Sequence, residues 1–170
     1  MRMNLGVIGL GAMGSGMAAS LRRAGYNVHV CDMREEAATA FAAKGGVACA
    51  HPADVAAHCE VVVSVVVNAA QTEAVLFGEH GVAATMKPGS LFVMCSTVDP
   101  NWSIALEARL ADRGWLYLDA PISGGAAKAA AGEITMMTAG SPAAYAKAGD
   151  ALDAMAAKVY RLGDRAGMGS

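Results

Sequence analysis

Short apolar runs alternate with stretches of helical composition along almost the whole chain. Residues 5–9, 27–31, 47–49, 60–67, 90–95 and 115–119 read as strands, most closed by glycine, a turn residue or a charge. Residues 11–24, 35–43, 70–77 and 99–113 read as helices. Their ends are marked by Gly25, by Gly45-Gly46 and by Gly114, and Pro100 stands at a favoured first helical position. Asp54 is placed to cap a further short helix ending at His58. Farther on, residues 134–139 are strand-like, 142–156 helical and 159–162 a last short strand, while the Gly- and Ala-rich residues 120–132 carry no assignment.

Within the strand expected at 60–67, the valine run of residues 61–67 is broken only by Ser64. It is too short to span a membrane and suits a strand buried on both faces, as in a parallel sheet. Strand–helix alternation then predicts an α/β fold with a Rossmann-type, doubly wound, mostly parallel sheet. Residues 1–162 form that domain and residues 163–170, with three glycines, read as the start of a hinge.

Composition adjusts this picture slightly. Hydrophobic residues are 55% and charged residues 16% of 170, greasier than the usual ~45–50% and ~25%. Either a face is meant to be covered by another domain or subunit, or the chain is simply Ala-rich. Net charge is −2 and no basic patch stands out, which argues against a nucleic-acid partner. No signal-peptide or membrane-span pattern is present, so the expectation is a cytoplasmic protein. Cys31, Cys49, Cys59 and Cys95 are widely spaced, mostly in apolar runs, and read as buried thiols and not as metal ligands.

The chemistry starts at Gly9-Leu10-Gly11-Ala12-Met13-Gly14, a G-x-G-x-x-G turn with a strand before it and a helix after it. Gly9 permits the tight turn, Gly11 lets a pyrophosphate approach the backbone, and Gly14 lets the helix pack on the strand. The free N–H groups of the helix start then face the phosphates. Asp32 ends the second strand, about 20 residues on, where a carboxylate holds adenosine ribose hydroxyls. Its charge favours NAD, with NADP the alternative because Arg34 follows; a plain helix cap is the other reading of Asp32. Met33 adjoins it. Val67 and Asn68 after the fourth strand, and Ser96 and Thr97 after the fifth, fall at the edge where such sheets bind ligands, although Ser96 and Thr97 also suit helix capping before Pro100.

A second motif, Asp119-Ala120-Pro121-Ile122-Ser123-Gly124-Gly125, offers a hydroxyl and unobstructed N–H groups, a natural carboxylate anchor or a structural turn. With Met17-Ala18, Leu21 and the stretch Cys95-Ser96-Thr97-Val98-Asp99-Pro100, the two motifs resemble the β-hydroxyacid dehydrogenase family over essentially the whole chain. The resemblance implies hydride transfer between NAD(P) and a small hydroxyacid. Ser123, Gly124 and Gly125 would hold the substrate carboxylate and Thr97 would touch the cofactor. The run Val65-Val66-Val67-Asn68-Ala69-Ala70-Gln71-Thr72 and residues 121–137 are most similar to members acting on L-threonate. Members acting on 3-hydroxyisobutyrate or tartronate semialdehyde are the alternative, and a non-catalytic NAD-binding module is another.

The family's general acid/base is a lysine on a long helix just after a G-x-G turn. Gly167-Met168-Gly169-Ser170 resembles that turn, so the expectation is no catalytic residue within this chain, a lysine beyond Ser170, and no all-helical second domain here. Lys128 lies near the Ser-Gly-Gly loop but does not match the family's position and reads as solvated. His29, His51, His58 and His80 do not fill the role. Homo-oligomers are implied through the helical domain, with apolar surface exposed near the C-terminus of the present chain.

Overall fold

The computed structural model describes residues 3–168. Its core is a parallel ladder of β1 (Asn4–Ile8), β2 (Asn27–Cys31), β3 (Val47–Ala48), β4 (Val61–Ser64), β5 (Leu91–Met94) and β6 (Leu116–Asp119), ordered β3-β2-β1-β4-β5-β6. Helices α1 (Ala12–Arg23), α2 (Glu35–Ala43), α3 (Pro52–His58), α4 (Ala69–Phe77) and α5 (Pro100–Ala111) connect these strands.

Alternation along the strands explains the two helical layers. Val61 and Val63 join Leu5, Val7, Leu91, Val93, Met17 and Leu21 in one buried cluster. Val62 joins Phe92, Met94, Leu76, Leu106 and Leu110 in the other. Successive side chains of a strand point to opposite faces, so a continuous valine run fills both cores at once.

The strand predicted at 60–67 ends at Ser64. Burial runs out there, although the Val65 N–H still donates to the Ile8 carbonyl of β1 at 2.8 Å. Asp54 is not the cap of α3. His51 occupies that position, and the Asp54 carboxylate, inside the first turn, accepts the His51 N–H at 3.1 Å.

The C-terminal third differs most from expectation. Residues left unassigned form β7 (Ile122–Ser123) and α6 (Gly125–Ala131), the latter ended by Gly132 at φ +75°. The following β8 (Ile134–Gly140) runs antiparallel to β6 and β7, so the sheet is mostly and not wholly parallel. The helix predicted over 142–156 is two, α7 (Pro142–Ala148) and α8 (Ala151–Met155), separated at Gly149 with φ +55°. Early termination of α8 lengthens the last strand to β9 (Ala156–Gly163), parallel to β8 and largely exposed. Tyr160, Leu162 and Met168 contribute exposed apolar surface near the end of the described chain. The hinge expected at 163–170 is described only to Met168, and Gly169 and Ser170 lie outside the described residues. Among the described residues, no helix is long and apolar enough to cross a membrane.

Candidate functional site

Strand order reverses between β1 and β4: the chain goes from β1 outward to β2 and β3, then returns to β4 on the other side. Ligands of open α/β sheets bind at the carboxyl ends of strands beside such a reversal. The Gly9–Gly14 turn leaves β1 there, and residues 65–68 leave β4 there.

Each glycine of the turn has a distinct geometric reason. Gly9 has φ +100°, and a Cβ on it would collide with the Val65 carbonyl. A Cβ on Gly14 would collide with the Gly9 carbonyl, so helix α1 can sit this close to the strand end only without one. Gly11 is different: nothing among the described residues lies within 4 Å of a Cβ built there. No packing among the described residues demands glycine at position 11, so the open space in front of it is what a pyrophosphate would use. Gly11 is the cap position of α1, whose first turn holds no acidic residue, and the first N–H groups of the helix, from Ala12 to Gly14, precede its internal ladder. These features fit a dinucleotide phosphate.

Asp32 sits at the end of β2 with its side chain 12% exposed. One carboxylate oxygen accepts the Leu10 N–H at 2.6 Å and the other the Arg34 N–H at 2.8 Å. The carboxylate is thereby fixed beside the glycine turn. Arg34, not Asp32, holds the cap position of α2, which removes the plain-cap reading. The Arg34 guanidinium lies 3.5 Å from Asp32 and is largely exposed. Met33 next to it is fully exposed.

On the other flank, Val67 is 78% exposed, and its N–H is held by the Gln71 side chain at 2.8 Å. Asn68 caps α4, accepting the Gln71 N–H at 2.9 Å. Ser96 is buried and donates to the Val66 carbonyl at 2.6 Å, with Thr72 Oγ1 3.3 Å away, so it ties the β4 and β5 loops together instead of capping α5. Asp99 is the cap of α5, through the Asn101 N–H. Thr97 is left exposed at the mouth.

The second motif follows β6. Ser123, Gly124 and Gly125 are all exposed, and both glycines have positive φ, +134° and +84°. A Cβ on Gly125 would meet nothing within 4 Å, whereas one on Gly124 would press on Lys128 Cδ at 3.3 Å. Lys128 itself is exposed on α6. The Ser-Gly-Gly loop follows the carboxyl end of β6, which is parallel to β1 through β4 and β5, so it and the glycine turn lie at one edge of the sheet, and α6 lies against α1 with Gly16 in backbone contact with Ala129.

Asp119, first residue of the second motif, is completely buried and accepts the Gly167 N–H at 2.9 Å. Glu107 accepts the neighbouring Ala166 N–H at 3.0 Å. Burial pushes the Glu107 carboxyl above the usual range, with Asp119 adding to the effect. These anchors, at separations of 48 and 59 residues, have no local sequence signal, whereas the Gln71 hold on Val67 spans four residues beside the Asn68 cap and has one.

The remaining reactive groups are silent here. Burial pushes the thiols of Cys59 and Cys95 up to about 12 and that of Cys31 to about 11. His29 stacks on His58 and His51 on His80. Among the described residues no cluster of three or more His, Cys, Asp or Glu could hold a metal ion.

Comparison with known proteins agrees with this geometry. A family profile described as the NAD binding domain of 6-phosphogluconate dehydrogenase matches residues 4–163. An L-threonate dehydrogenase of Cupriavidus necator is 59% identical over 170 residues, all of this chain and 57% of that protein. An L-threonate dehydrogenase of Escherichia coli K12 is 40% identical over 168 residues, 98% of this chain and 56% of that protein. Among solved structures, a 3-hydroxyisobutyrate dehydrogenase from Salmonella typhimurium superposes with TM-score 0.95 at 42% identity, covering 99% of this chain and 59% of that one. The present chain thus spans little more than half the length of these relatives.

Proposed function

The chain carries the NAD-binding domain of the β-hydroxyacid dehydrogenase family, and from that premise we propose that it serves NAD-dependent oxidation of a small sugar acid, L-threonate being the first candidate. The observation that carries the cofactor half is Gly11, a glycine that no contact among the described residues requires, next to Leu10, whose N–H pins the Asp32 carboxylate together with that of Arg34. Bound NAD would supply the hydride acceptor, its nicotinamide ring.

The chain's own residues do the rest. N–H groups from Gly11 to Gly14 bind the pyrophosphate at the positive end of α1. Asp32 receives the adenosine ribose hydroxyls and repels a 2′-phosphate, so NAD is preferred over NADP. Because two backbone N–H groups already hold Asp32, it does not swing aside to free Arg34. Met33 and Val67 offer exposed apolar walls, and Asn68 and Thr97 line the nicotinamide-ribose side. Ser123, Gly124 and Gly125 present a hydroxyl and backbone N–H groups to the substrate carboxylate.

L-Threonate is supported by the names of the relatives 59% and 40% identical. The Salmonella structure supports 3-hydroxyisobutyrate as the second reading. Alcohol oxidation also needs a base in reach of the hydroxyl proton. Among the described residues Lys128 alone is near the Ser-Gly-Gly loop, and it is an exposed residue of α6. We therefore place the base outside residues 3–168, in a helical part following residues 163–170, which would also carry the homo-oligomer contacts.

Titration of the purified 170-residue chain with NADH and NADPH, followed by turnover assays with L-threonate and 3-hydroxyisobutyrate, tests this. The expected result is saturable NADH binding, weaker NADPH binding and negligible turnover. Absence of NADH binding overturns the cofactor half. Turnover by the chain alone overturns the placement of the base. A chain of the relatives' length that oxidises 3-hydroxyisobutyrate faster than L-threonate overturns the substrate choice.

A further inference from the structure

Helix α1 does more than start at the cofactor turn, because its far half grips helix α6. Gly16 is buried, and a Cβ on it would lie 2.6 Å from the Ala129 carbonyl carbon and 2.8 Å from the Ala129 Cβ. The two helices therefore touch backbone to backbone. One turn on, the buried Ser20 hydroxyl faces two acceptors at 2.9 Å, the Gly16 carbonyl of its own helix and the Ala129 carbonyl of α6. Arg23 Nη2 donates to the Ala130 carbonyl at 2.6 Å and to Ser20 Oγ at 3.1 Å.

Among these acceptors the Ala130 carbonyl, in the last turn of α6, is one a helix end leaves over, whereas the Ala129 carbonyl already takes the Gly132 N–H at 3.3 Å. The last carbonyls of a helix have no internal partner, and a cation placed there satisfies both hydrogen bonding and the helix dipole. Helix α6 is only seven residues long and starts at Gly125. Holding its last turn at Ala129 and Ala130 therefore fixes its first turn, and with it the Ser-Gly-Gly loop. The pairing of Ser123 with Thr135 of β8 holds the loop from its other side, so the grip on α6 acts on the Gly124–Gly125 side.

We infer that Gly16, Ser20 and Arg23 form a clamp between α1 and α6 that sets where the Ser123-Gly124-Gly125 loop stands relative to the cofactor turn. Ser20 and Arg23 are then positioning residues: they touch neither cofactor nor substrate and act through α6. The clamp predicts coupling, since ordering the start of α1 by NADH also orders α6 and its loop. This rests on the proposed reading of the loop as a carboxylate anchor.

Amide hydrogen exchange on the 170-residue chain, with and without NADH, tests the coupling. In the wild type NADH slows exchange across residues 122–132. In Ser20→Ala and Arg23→Gln, exchange there rises about three- to tenfold without ligand, as for loss of one hydrogen bond. The NADH-dependent slowing at 122–132 disappears, while slowing at residues 9–14 persists. Arg23→Lys, which keeps the positive charge at the end of α6 that Gln lacks, restores part of the protection. Overturning results are NADH-dependent protection at 122–132 that survives in both variants, its absence in the wild type, or faster exchange spread evenly over the domain. The underlying reading is read separately, from shifts of the Gly124 and Gly125 amides on adding L-threonate to the wild-type NADH complex. Their absence overturns the loop as an anchor, and with it the clamp's service to substrate, whatever the exchange data show.

Discussion

The Asp32 carboxylate accepts the backbone N–H of Leu10 at 2.6 Å, across 22 residues of sequence. This bond locks the end of β2 to the glycine turn after β1, so the group that reads the ribose and the groups that read the phosphates move as one unit. Removing the carboxylate loses both the ribose contact and the lock. Asp32→Ala is expected to weaken NADH binding by roughly 10- to 100-fold, the range for a hydrogen bond to a charged group. NADPH binding should fall much less, because the repulsion of a 2′-phosphate goes at the same time. Fluorescence titration with both cofactors checks this, and an unchanged NADH-to-NADPH ratio would contradict it.

Gly11 and Gly14 should separate binding from folding. Gly11→Ala meets open space, so its stability cost stays below about 1 kcal/mol, the scale of a cap-position change. Its NADH affinity nevertheless falls, because the added methyl stands where the pyrophosphate approaches. Gly14→Ala drives a Cβ into the Gly9 carbonyl and should cost about 1–3 kcal/mol, as overpacking does. Urea titrations paired with NADH titrations distinguish the two; equal stability losses would remove the argument for Gly11.

A pH dependence follows from His29. The residue is 8% exposed, its Nδ1 has no hydrogen-bond partner among the described residues, and burial, then the neighbouring His58, hold its pKa below 6.5. The unfolded chain therefore binds this proton more readily than the folded one, and stability falls as pH drops through and below 6.5. Melting temperature should decline from pH 7.5 to 5.5, and His29→Phe should flatten that decline. An equally steep decline in the variant would assign it to other groups.

Asp119 anchors the tail. Asp119→Ala leaves the Gly167 N–H without its carboxylate partner, a loss of about 1–3 kcal/mol for a buried hydrogen-bonded group. Residues 163–168 should then release, and trypsin should cut after the exposed Arg165 faster than in the wild type at temperatures well below melting. Unchanged cleavage would mean that the anchor lies elsewhere, for example at Glu107.

The thiols should be inert. With Cys59 and Cys95 held up to about 12 by burial, thiolate is scarce at pH 8. Alkylation of the native chain by iodoacetamide should be slow at both and become rapid on unfolding. Rapid native labelling of Cys95 would contradict its burial.

The sequence by itself determined where strands and helices alternate through residue 119, because period and punctuation mark most of them, although the two-residue β3 is too short for a period and β4 stops at Ser64, short of residue 67. It also determined the glycine turn and Asp32, since close backbone approach and a carboxylate at a strand end need particular residue types. It did not carry strand direction: β8 has the same period whether parallel or antiparallel, and only its pairing with β6 decides. Nor did it reveal the break at Gly149, where a helix-like composition gives way to a positive φ that the packing of two short helices selects. Asp32 as a pinned carboxylate rather than a cap, Ser96 as a tie between two loops, and the grip of Ser20 and Arg23 on α6 were decided by tertiary structure alone. Those contacts join residues 22 to 110 positions apart, and no local pattern encodes a distance that only the folded sheet brings down to a hydrogen bond.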